Sequence, residues 1–574
     1  MANENQIEPG KEKIPVSTYS RSFQEKVRDL TLKTFLLIII AIVTKIFGLV
    51  RMGVTAAVFG ANVTTDMFFG VFGSTVVFFE ILPTVFNQAL VPRYVDLLIK
   101  GDREKFNRAV STSVNYVLII SLIVFLLCSY YAAPIRAIFF HFSPEVAQST
   151  VTKANWLFRL AFVVLFLNVF IGSLTAILYS HDQVVSPSVL NFINGLNVLI
   201  SILVFHNEFG IFSMVLGYAT GGICQILYLA YFVHKTGFKW NPLEFFGEGM
   251  FSGFVRPIAP AYVAMAVAQM NIVIDRSFTS RLGEVGMVTC LEYGARMILI
   301  ILIFSTAFSN AILPKLSLLK SMKQSEEYKT LLVRGILMVL FLILPIAISA
   351  MLTARPISTI ILYHGEFAKD SKYLYATFNI LRIMIIWSLF YLINTQFFNV
   401  FYTFKDFRTP LLISSCNVGA NVIFNMLFTG LTFGLAIPYI VEWGVIGIAT
   451  STAVGIIVSV VLSIIILRGK IGSVIDVSVL KRIAKLGIAS FFALGVGYII
   501  NRYVFFSQYR GQVSVGLLFS TTQVLVVTLT TTVMFWLMSY WIDRNTVKFI
   551  VSMVREFAIR KGRIKNELTG SSLV

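Results

Sequence analysis

Charge is scarce in this chain, and acid is scarcer than base. Only 13% of the 574 residues are charged, with 28 Asp+Glu against 47 Lys+Arg. Soluble domains carry about 25% charged residues, so that class is excluded. Cysteine is nearly missing: Cys128, Cys224, Cys290 and Cys416 are scattered through apolar runs and form no C-x-x-C pair. That excludes a disulfide framework or a cysteine metal cluster and predicts four small buried hydrophobes. Residues 1–33 lack the short apolar core and cleavage site of a signal peptide and read as a cytoplasmic tail. No P-loop for ATP is found, and 52 Phe without a glycine period exclude disorder and collagen.

Apolar length is what the sequence has instead. Hydrophobic residues make up 57%, and the mean hydropathy is +0.81. Stretches of ~20 apolar residues, enough to cross a bilayer, recur along nearly the whole chain. About fourteen begin near residues 34, 66, 111, 155, 185, 211, 256, 288, 332, 374, 410, 443, 484 and 514. The fold class is therefore an all-α polytopic membrane protein.

A net charge of +19 would suggest nucleic acid in a soluble protein. Its distribution decides otherwise. With the N-terminal tail inside and the spans alternating, 32 lysines and arginines fall in inside segments and nine in outside segments, Arg276 and Arg281 among the latter. The positive-inside rule then puts both termini in the cytoplasm and leaves no role for a nucleic-acid partner. Residues 547–559 carry apolar residues at helical spacing with Lys548 and Arg555, ahead of Arg560-Lys561-Gly562-Arg563. An interfacial helix on anionic lipid and an ordinary basic tail both fit.

The chain repeats itself. Phe86-Asn87-Gln88-Ala89-Leu90-Val91-Pro92-Arg93 returns as Phe308-Ser309-Asn310-Ala311-Ile312-Leu313-Pro314-Lys315, 222 residues later. Phe106 pairs with Tyr328 and Pro134-Ile135 with Pro356-Ile357 at the same offset; Ser186-Pro187 and Asn194 pair with Thr409-Pro410 and Asn417 at 223. Each repeat holds six crossings, so the two run in parallel, a transporter architecture with substrate bound between bundles. The expected layout is a tail (1–33), an N lobe (34–234), an inter-lobe loop (235–254) and a C lobe (255–468). Two extra spans (469–541) and a basic cytoplasmic tail (542–574) complete it.

An ionisable group at the bilayer centre costs at least ~2.5–3.5 kcal/mol, so each needs a reason. Span 1 carries Lys45 and Arg51; span 2 has Asp66 at its outer end and Glu80 near its middle. Span 7 has Asp275, and span 8 has Glu292 and Arg296, which can pair at i, i+4. Arg159 and Arg382 lie near span starts and read as snorkelling side chains. Cations on the first spans of both repeats suit an anionic substrate, above all a pyrophosphate, which arginine binds bidentately. The competing account is structural pairing with Glu80, Asp275 or Glu292. Asn417 and Asn421 share a face of span 11 and, with Asp275 and Thr450, offer hard oxygen ligands for a small cation. Spacing alone favours interhelical hydrogen bonding for them.

Several of these segments together resemble the MurJ (MviN) lipid II flippase family of the multidrug/oligosaccharidyl-lipid/polysaccharide exporter superfamily, from about residue 34 to 470. They are Lys45-Ile46-Phe47-Gly48-Leu49-Val50-Arg51, Phe59-Gly60-Ala61, Thr65-Asp66-Met67-Phe68-Phe69 and Gln88-Ala89-Leu90-Val91-Pro92. The second half adds Glu292-Tyr293-Gly294-Ala295-Arg296, Ile312-Leu313-Pro314-Lys315-Leu316-Ser317 and Lys405-Asp406-Phe407-Arg408-Thr409-Pro410. The last two spans match in number and hydrophobicity only.

The resemblance implies two six-helix lobes and two extra helices that form a groove for a lipid tail. The lobes would enclose a cationic cavity alternating between cytoplasm and periplasm. By position, Arg51 and Arg296 match cavity arginines, Lys45 replaces another, and Asp66 matches a span-2 aspartate. Asp275, Asn417, Asn421 and Thr450 fall near positions that bind sodium in some members. Two departures stand out. Met52 follows the span-1 arginine where the family has an acid, and Phe78, Phe79 and Glu80 occupy the middle of span 2 where it has an arginine. Glu80 thus joins the candidate substrate-binding set of Lys45, Arg51, Asp66 and Arg296 while weakening its positive charge.

The expected function is a flippase, not an enzyme, carrying undecaprenyl-pyrophosphate-linked peptidoglycan precursor (lipid II) across the bacterial inner membrane. Its partners would be that lipid, membrane lipids and cell-wall synthesis proteins. No cofactor is expected beyond coupling to Na+ or to the membrane potential, worth ~2.3 kcal/mol per charge per 100 mV. The alternative within transport is an exporter of another polysaccharide-linked lipid or a drug. From another class, a polyprenyl-phosphate glycosyltransferase would need carboxylates on a sizeable loop, which this chain lacks.

Overall fold

The computed structural model describes residues 23–142, 147–245, 256, 258–298, 302, 312, 316–322, 324–404, 406, 408–431, 443–472, 476–505, 516–544 and 547–548, with the side chains of 23–35, 38 and 264 left out. Among the described residues every regular element is helical, and thirteen helices are long and apolar enough to cross a membrane. The fourteenth expected crossing, near residue 288, begins as the helix Met287–Met297; the rest of it falls outside the described residues, as does most of the expected basic C-terminal segment. By packing, the chain divides into two compact units, residues 1–289 and 290–574.

The first unit contains α1 (Phe23–Phe59), α2 (Val63–Met67), a π-helical turn (Phe68–Gly73), α3 (Ser74–Phe79) and α4 (Leu82–Ile99). There follow α5 (Arg103–Tyr130), α6 (Ala132–Phe139), α7 (Gln148–Ser180), α8 (Val185–Ser188), α9 (Leu190–Phe209), α10 (Phe212–His234), α11 (Ile258–Arg281) and the first turn of α12 (Met287–Met297). Local chemistry sets the boundaries. Gly60, at φ 69°, ends α1, and Asn62 opens α2 with a capping box. Its side-chain oxygen accepts from the Thr64 and Thr65 N–H groups (2.9 and 3.1 Å), while Thr65 Oγ1 accepts the Asn62 N–H at 2.9 Å. Asp102 caps α5 through the Lys105 N–H at 3.0 Å.

Within this unit α7 is central, packed on α4, α5 and α10. The second span is not one regular α-helix: it runs through the π turn and is interrupted at Glu80 and Ile81, with Pro83 in the first turn of α4. Although α11 opens the second sequence repeat, it packs on α3, α4, α6 and the π turn of the first unit. The packing boundary at 289/290 therefore lies further along the chain than the loop separating the repeats.

The second unit contains the rest of α12, then α13 (Ser325–Leu352), α14 (Ala354–Leu362), a 3-10 turn (Gly365–Lys369), α15 (Ser371–Thr403) and α16 (Arg408–Thr429). It ends with α17 (Gly444–Ile471), α18 (Val477–Ile500), a second π turn (Asn501–Phe505) and α19 (Leu517–Ile542). Here α13 is central, packed on α15, α18 and α19. Phe341, Phe397, Phe401 and Phe535 are fully buried at its core. Lipid tails are as apolar as these rings, so interlocking shape rather than escape from water holds such helices together.

The repeat is visible in the helices themselves. α5 and α13 are both 28 residues long and begin 222 positions apart; α7 and α15 are both 33 residues long and begin 223 apart. Between them α6 has 8 residues and α14 has 9, which accounts for the one-residue step in the offset. Tyr131 (φ −93°, ψ 30°) and Thr353 (φ −102°, ψ 18°) break their helices in the same conformation ahead of the paired prolines.

Candidate functional site

Lys45 and Arg51 are half-buried on α1. That helix is thinly packed, with 17% of its most apolar window buried, and its expected counterpart α11 is similar at 18%. The Arg51 carbonyl accepts the Thr55 hydroxyl at 2.8 Å. On α12, residues 286–294 are all buried and exposure begins at Ala295 and Arg296. The Arg296 Nε donates to Glu292 Oε1, the i, i+4 pair expected from the sequence. The Glu292 side chain is 8% exposed and that of Arg296 37%, so a buried carboxylate orients an accessible guanidinium. Glu80 is exposed and sits at the α3–α4 break, its N–H closing on the Val76 carbonyl at 2.9 Å.

Asp66 is differently placed. It is 4% exposed, and its carboxylate accepts from the Gly286 N–H (2.6 Å), the Thr289 N–H (2.8 Å) and the Thr289 hydroxyl (2.7 Å). The two backbone groups are N–H donors that have no partner within α12, and an anion there also meets the positive end of the helix dipole. The Thr289 hydroxyl lies 3.0 Å from Thr65 Oγ1 as well. The first turn of the second span thus clasps the residues that open the eighth.

The four residues considered for a small cation divide between the units: Asp275, 6% exposed on α11, lies in the first, and Asn417, Asn421 and Thr450 lie in the second. Asn421 is fully buried; its Nδ2 donates to Thr452 Oγ1 (3.1 Å) and its Oδ1 accepts from Asn425 Nδ2 (2.8 Å). The Thr450 hydroxyl donates to the Ile446 carbonyl at 2.8 Å. A Cβ on Gly455 would come within 2.5 Å of Asn417 Oδ1, so that amide presses on the neighbouring helix.

The sequence model described as lipid II flippase MurJ matches residues 55–519. The chain belongs to the lipid II flippase MurJ family. A probable lipid II flippase MurJ of Borreliella burgdorferi is 23% identical over 483 residues, covering 84% of this chain and 90% of that one. One from Vibrio cholerae is 26% identical over 424 residues, covering 72% and 78%. In fold the chain is similar to a lipid II flippase MurJ solved in an inward closed conformation. The TM-score is 0.70 at 20% identity, over 88% of this chain and 99% of that one. An inward-facing multidrug resistance MATE transporter of the MOP superfamily is more distant, with a TM-score of 0.54 at 15% identity, over 76% and 94%.

Against the MurJ pattern, the two departures have structural counterparts. Met52 is 5% exposed and packed in the core; in the middle of span 2 Phe79 is buried while the neighbouring Glu80 is exposed. Three arginines counted in outside segments, Arg136, Arg276 and Arg281, are fastened within the first unit. Arg136 donates to Asn155 Oδ1 (2.9 Å) and the Phe140 carbonyl (3.1 Å), and Arg281 donates to the Ala137 carbonyl (3.1 Å). Arg276 is 5% exposed, with Nη1 3.4 Å from Ser74 Oγ. Hydropathy could not separate a loop arginine from one in the last turns of α11. The cysteines also need correction: Cys290 is buried and Cys128 half-buried, but Cys224 and Cys416 are exposed on helix faces that present apolar side chains outward. Arg382, read as snorkelling, lines a pocket of about 220 Å³ together with Arg355.

Proposed function

We propose that this protein moves lipid II from the cytoplasmic to the periplasmic leaflet of the bacterial inner membrane by alternating access. The observation that carries the reading is the pair-oriented, accessible Arg296 on a helix otherwise buried, together with half-buried Lys45 and Arg51 on a thinly packed span. Guanidinium groups bind pyrophosphate oxygens in two-point contacts, and a thinly packed span leaves them within reach of a headgroup while the polyprenyl tail stays in lipid. Both termini are then cytoplasmic, as the charge bias of the loops requires.

The test is complementation of a strain depleted of its own lipid II flippase. The chain should restore growth, and Arg51→Ala and Arg296→Ala should each abolish it at unchanged membrane abundance. Full growth with both variants would overturn the cavity. A well-inserted wild type that fails to complement would shift the cargo to another polysaccharide-linked pyrophosphate lipid, which Arg51 and Arg296 favour over a cationic drug. Sodium is the proposed coupling ion, with Asp275 its charged ligand. Asp275→Ala should remove the sodium dependence of flipping; retained dependence would reject that role.

A further inference from the structure

The chain leaving α10 is tied back onto its own unit. Residues 236–245 form a strap along α5. Arg103 Nη2 donates to the Thr236 carbonyl at 2.7 Å. Gly237 then turns at φ 73°, beside the same guanidinium, where both the backbone conformation and the close approach favour glycine. Phe238 meets the Phe106 ring at 6.4 Å between centroids, and Trp240 meets Phe170 of α7 at 5.8 Å. The Asn241 N–H donates to Ser111 Oγ at 3.0 Å, and Phe245 closes on Tyr116 at 6.2 Å.

Asn115 holds the centre of the strap. It is 4% exposed, and both ends of its amide are spent there. Nδ2 donates to the Asn241 and Glu244 carbonyls, each at 3.0 Å, and Oδ1 accepts from Trp240 Nε1 at 3.2 Å. Lifting the strap would strand these groups, and a buried polar group without a partner is costly. The second repeat covers the same face by other means. Ser111 and Asn115 correspond at 222 to Val333 and Leu337 of α13. Leu337 is buried in one apolar cluster with Leu486 and Ala489 of α18, and Val333 packs against it. Even the turn is repeated: Gly237 follows α10 at φ 73°, and Gly472 follows α17 at φ 78°. Beyond that turn the second unit has a spanning helix, whereas the first has ten residues and a buried amide.

We propose that residues 236–245 are a permanent brace of the first unit, covering on α5 the face that α18 covers on α13, and that Asn115 is the positioning residue that keeps the brace in place throughout transport. Only its persistence through transport rests on the function proposed above. A brace is favoured over a releasable latch because Asn115 has its printed partners only in the strap, and because the matching face of the second unit is closed by a whole helix.

The test uses the full-length protein, its four native cysteines replaced by alanine, in vesicles containing fluorescent lipid II. Ser111→Cys with Asn241→Cys should cross-link on oxidation, and flipping should continue unchanged with the strap locked down. Asn115→Leu, which installs the residue of the second repeat, should raise trypsin cleavage after exposed Lys239 about tenfold, the scale of lost buried hydrogen bonds. It should also slow flipping severalfold, and the cross-link added to it should restore the rate, which a merely structural role for Asn115 would not allow. Should Asn115→Leu fail to insert, Trp240→Phe keeps the ring without the Nε1 donor and should raise cleavage severalfold. Flipping stopped by the cross-link, or cleavage unchanged in the variants, would overturn the brace. A wild type that flips no lipid II would overturn the cargo alone, because cross-linking and cleavage read the brace directly.

Discussion

The two repeats follow one backbone plan and spend their side chains differently. In both, the last helix pair of the repeat is closed by an asparagine pressed on a glycine. A Cβ on Gly221 would lie 2.5 Å from Asn194 Oδ1, and one on Gly455 would lie 2.5 Å from Asn417 Oδ1. Asn194 and Asn417 are repeat mates at 223. The hairpins that join these helices are unlike: α9 and α10 are separated by two residues, whereas fourteen lie between α16 and α17. Close approach, not loop length, is the shared element, as expected where helices associate by packing small residues.

Polar fastenings diverge further. In the second repeat Asp406 caps α16, accepting from the Arg408 and Thr409 N–H groups at 3.1 and 3.0 Å and the Thr409 hydroxyl at 2.6 Å, and it pairs with Lys470 at the end of α17. Lys470 and Thr409 hold its carboxyl far below the usual carboxylate range. In the matching loop of the first repeat, Asp182 stands exposed in the left-handed region at φ 60°. Beside it the half-buried His181 ring is pushed below its usual pKa by burial, against a backbone bond to Ile177 that raises it, with Arg103 lowering it further. Symmetry of the backbone therefore does not carry over to the charges.

The strongest way to sharpen this comparison is Asp66→Ala. It strands the buried Gly286 and Thr289 N–H groups, while the Thr289 hydroxyl keeps Thr65 Oγ1, and should destabilise the first unit by about 2–3 kcal/mol, read as a fall in the detergent melting temperature. Its repeat mate Val288, cut to Ala, removes packing alone and should cost less; the reverse order would refute the clasp. Next comes Gly217→Ala, whose Cβ would meet the Val198 Cα at 2.5 Å. Backbone cannot swing aside as a side chain can, so a cost of about 2–3 kcal/mol is expected.

Gly221→Ala and Gly455→Ala test the shared plan directly. Both should cost about 1–2 kcal/mol, and a difference above that size would break the equivalence of the two helix pairs. The smallest effect is at the loops. Asp406→Asn should cost about 1 kcal/mol at neutral pH, whereas Asp182→Asn should change stability by less than about 0.5 kcal/mol. Because the folded Asp406 carboxyl titrates below its unfolded value, its contribution is present above about pH 4 and is lost as pH falls further. The wild-type and Asp406→Asn melting temperatures should converge on acidification; a constant gap would count against the ion pair.

Much of this was legible in the residues. Span positions follow from runs of apolar side chains, and the parallel repeat follows from an offset that needs no structure to count. The Glu292–Arg296 pair follows from helical spacing, because i and i+4 lie on one face whatever surrounds them. Each of these properties is local along the chain. The interruptions of the second span were less legible: a run such as Phe68–Gly73 has no marker that separates a π turn from an α turn.

Sequence by itself determined a two-fold repeated bundle of spanning helices with a few cations on the first spans of each repeat, because hydropathy and period act over a turn or two. Tertiary structure alone decided that Asp66 is spent on the start of α12, that Arg276 is buried rather than in a loop, and that Arg355, Arg382, Asn501 and Gln523 meet at one pocket. Those residues lie far apart along the chain, and only the packing of whole helices brings their charges and donors within hydrogen-bonding reach.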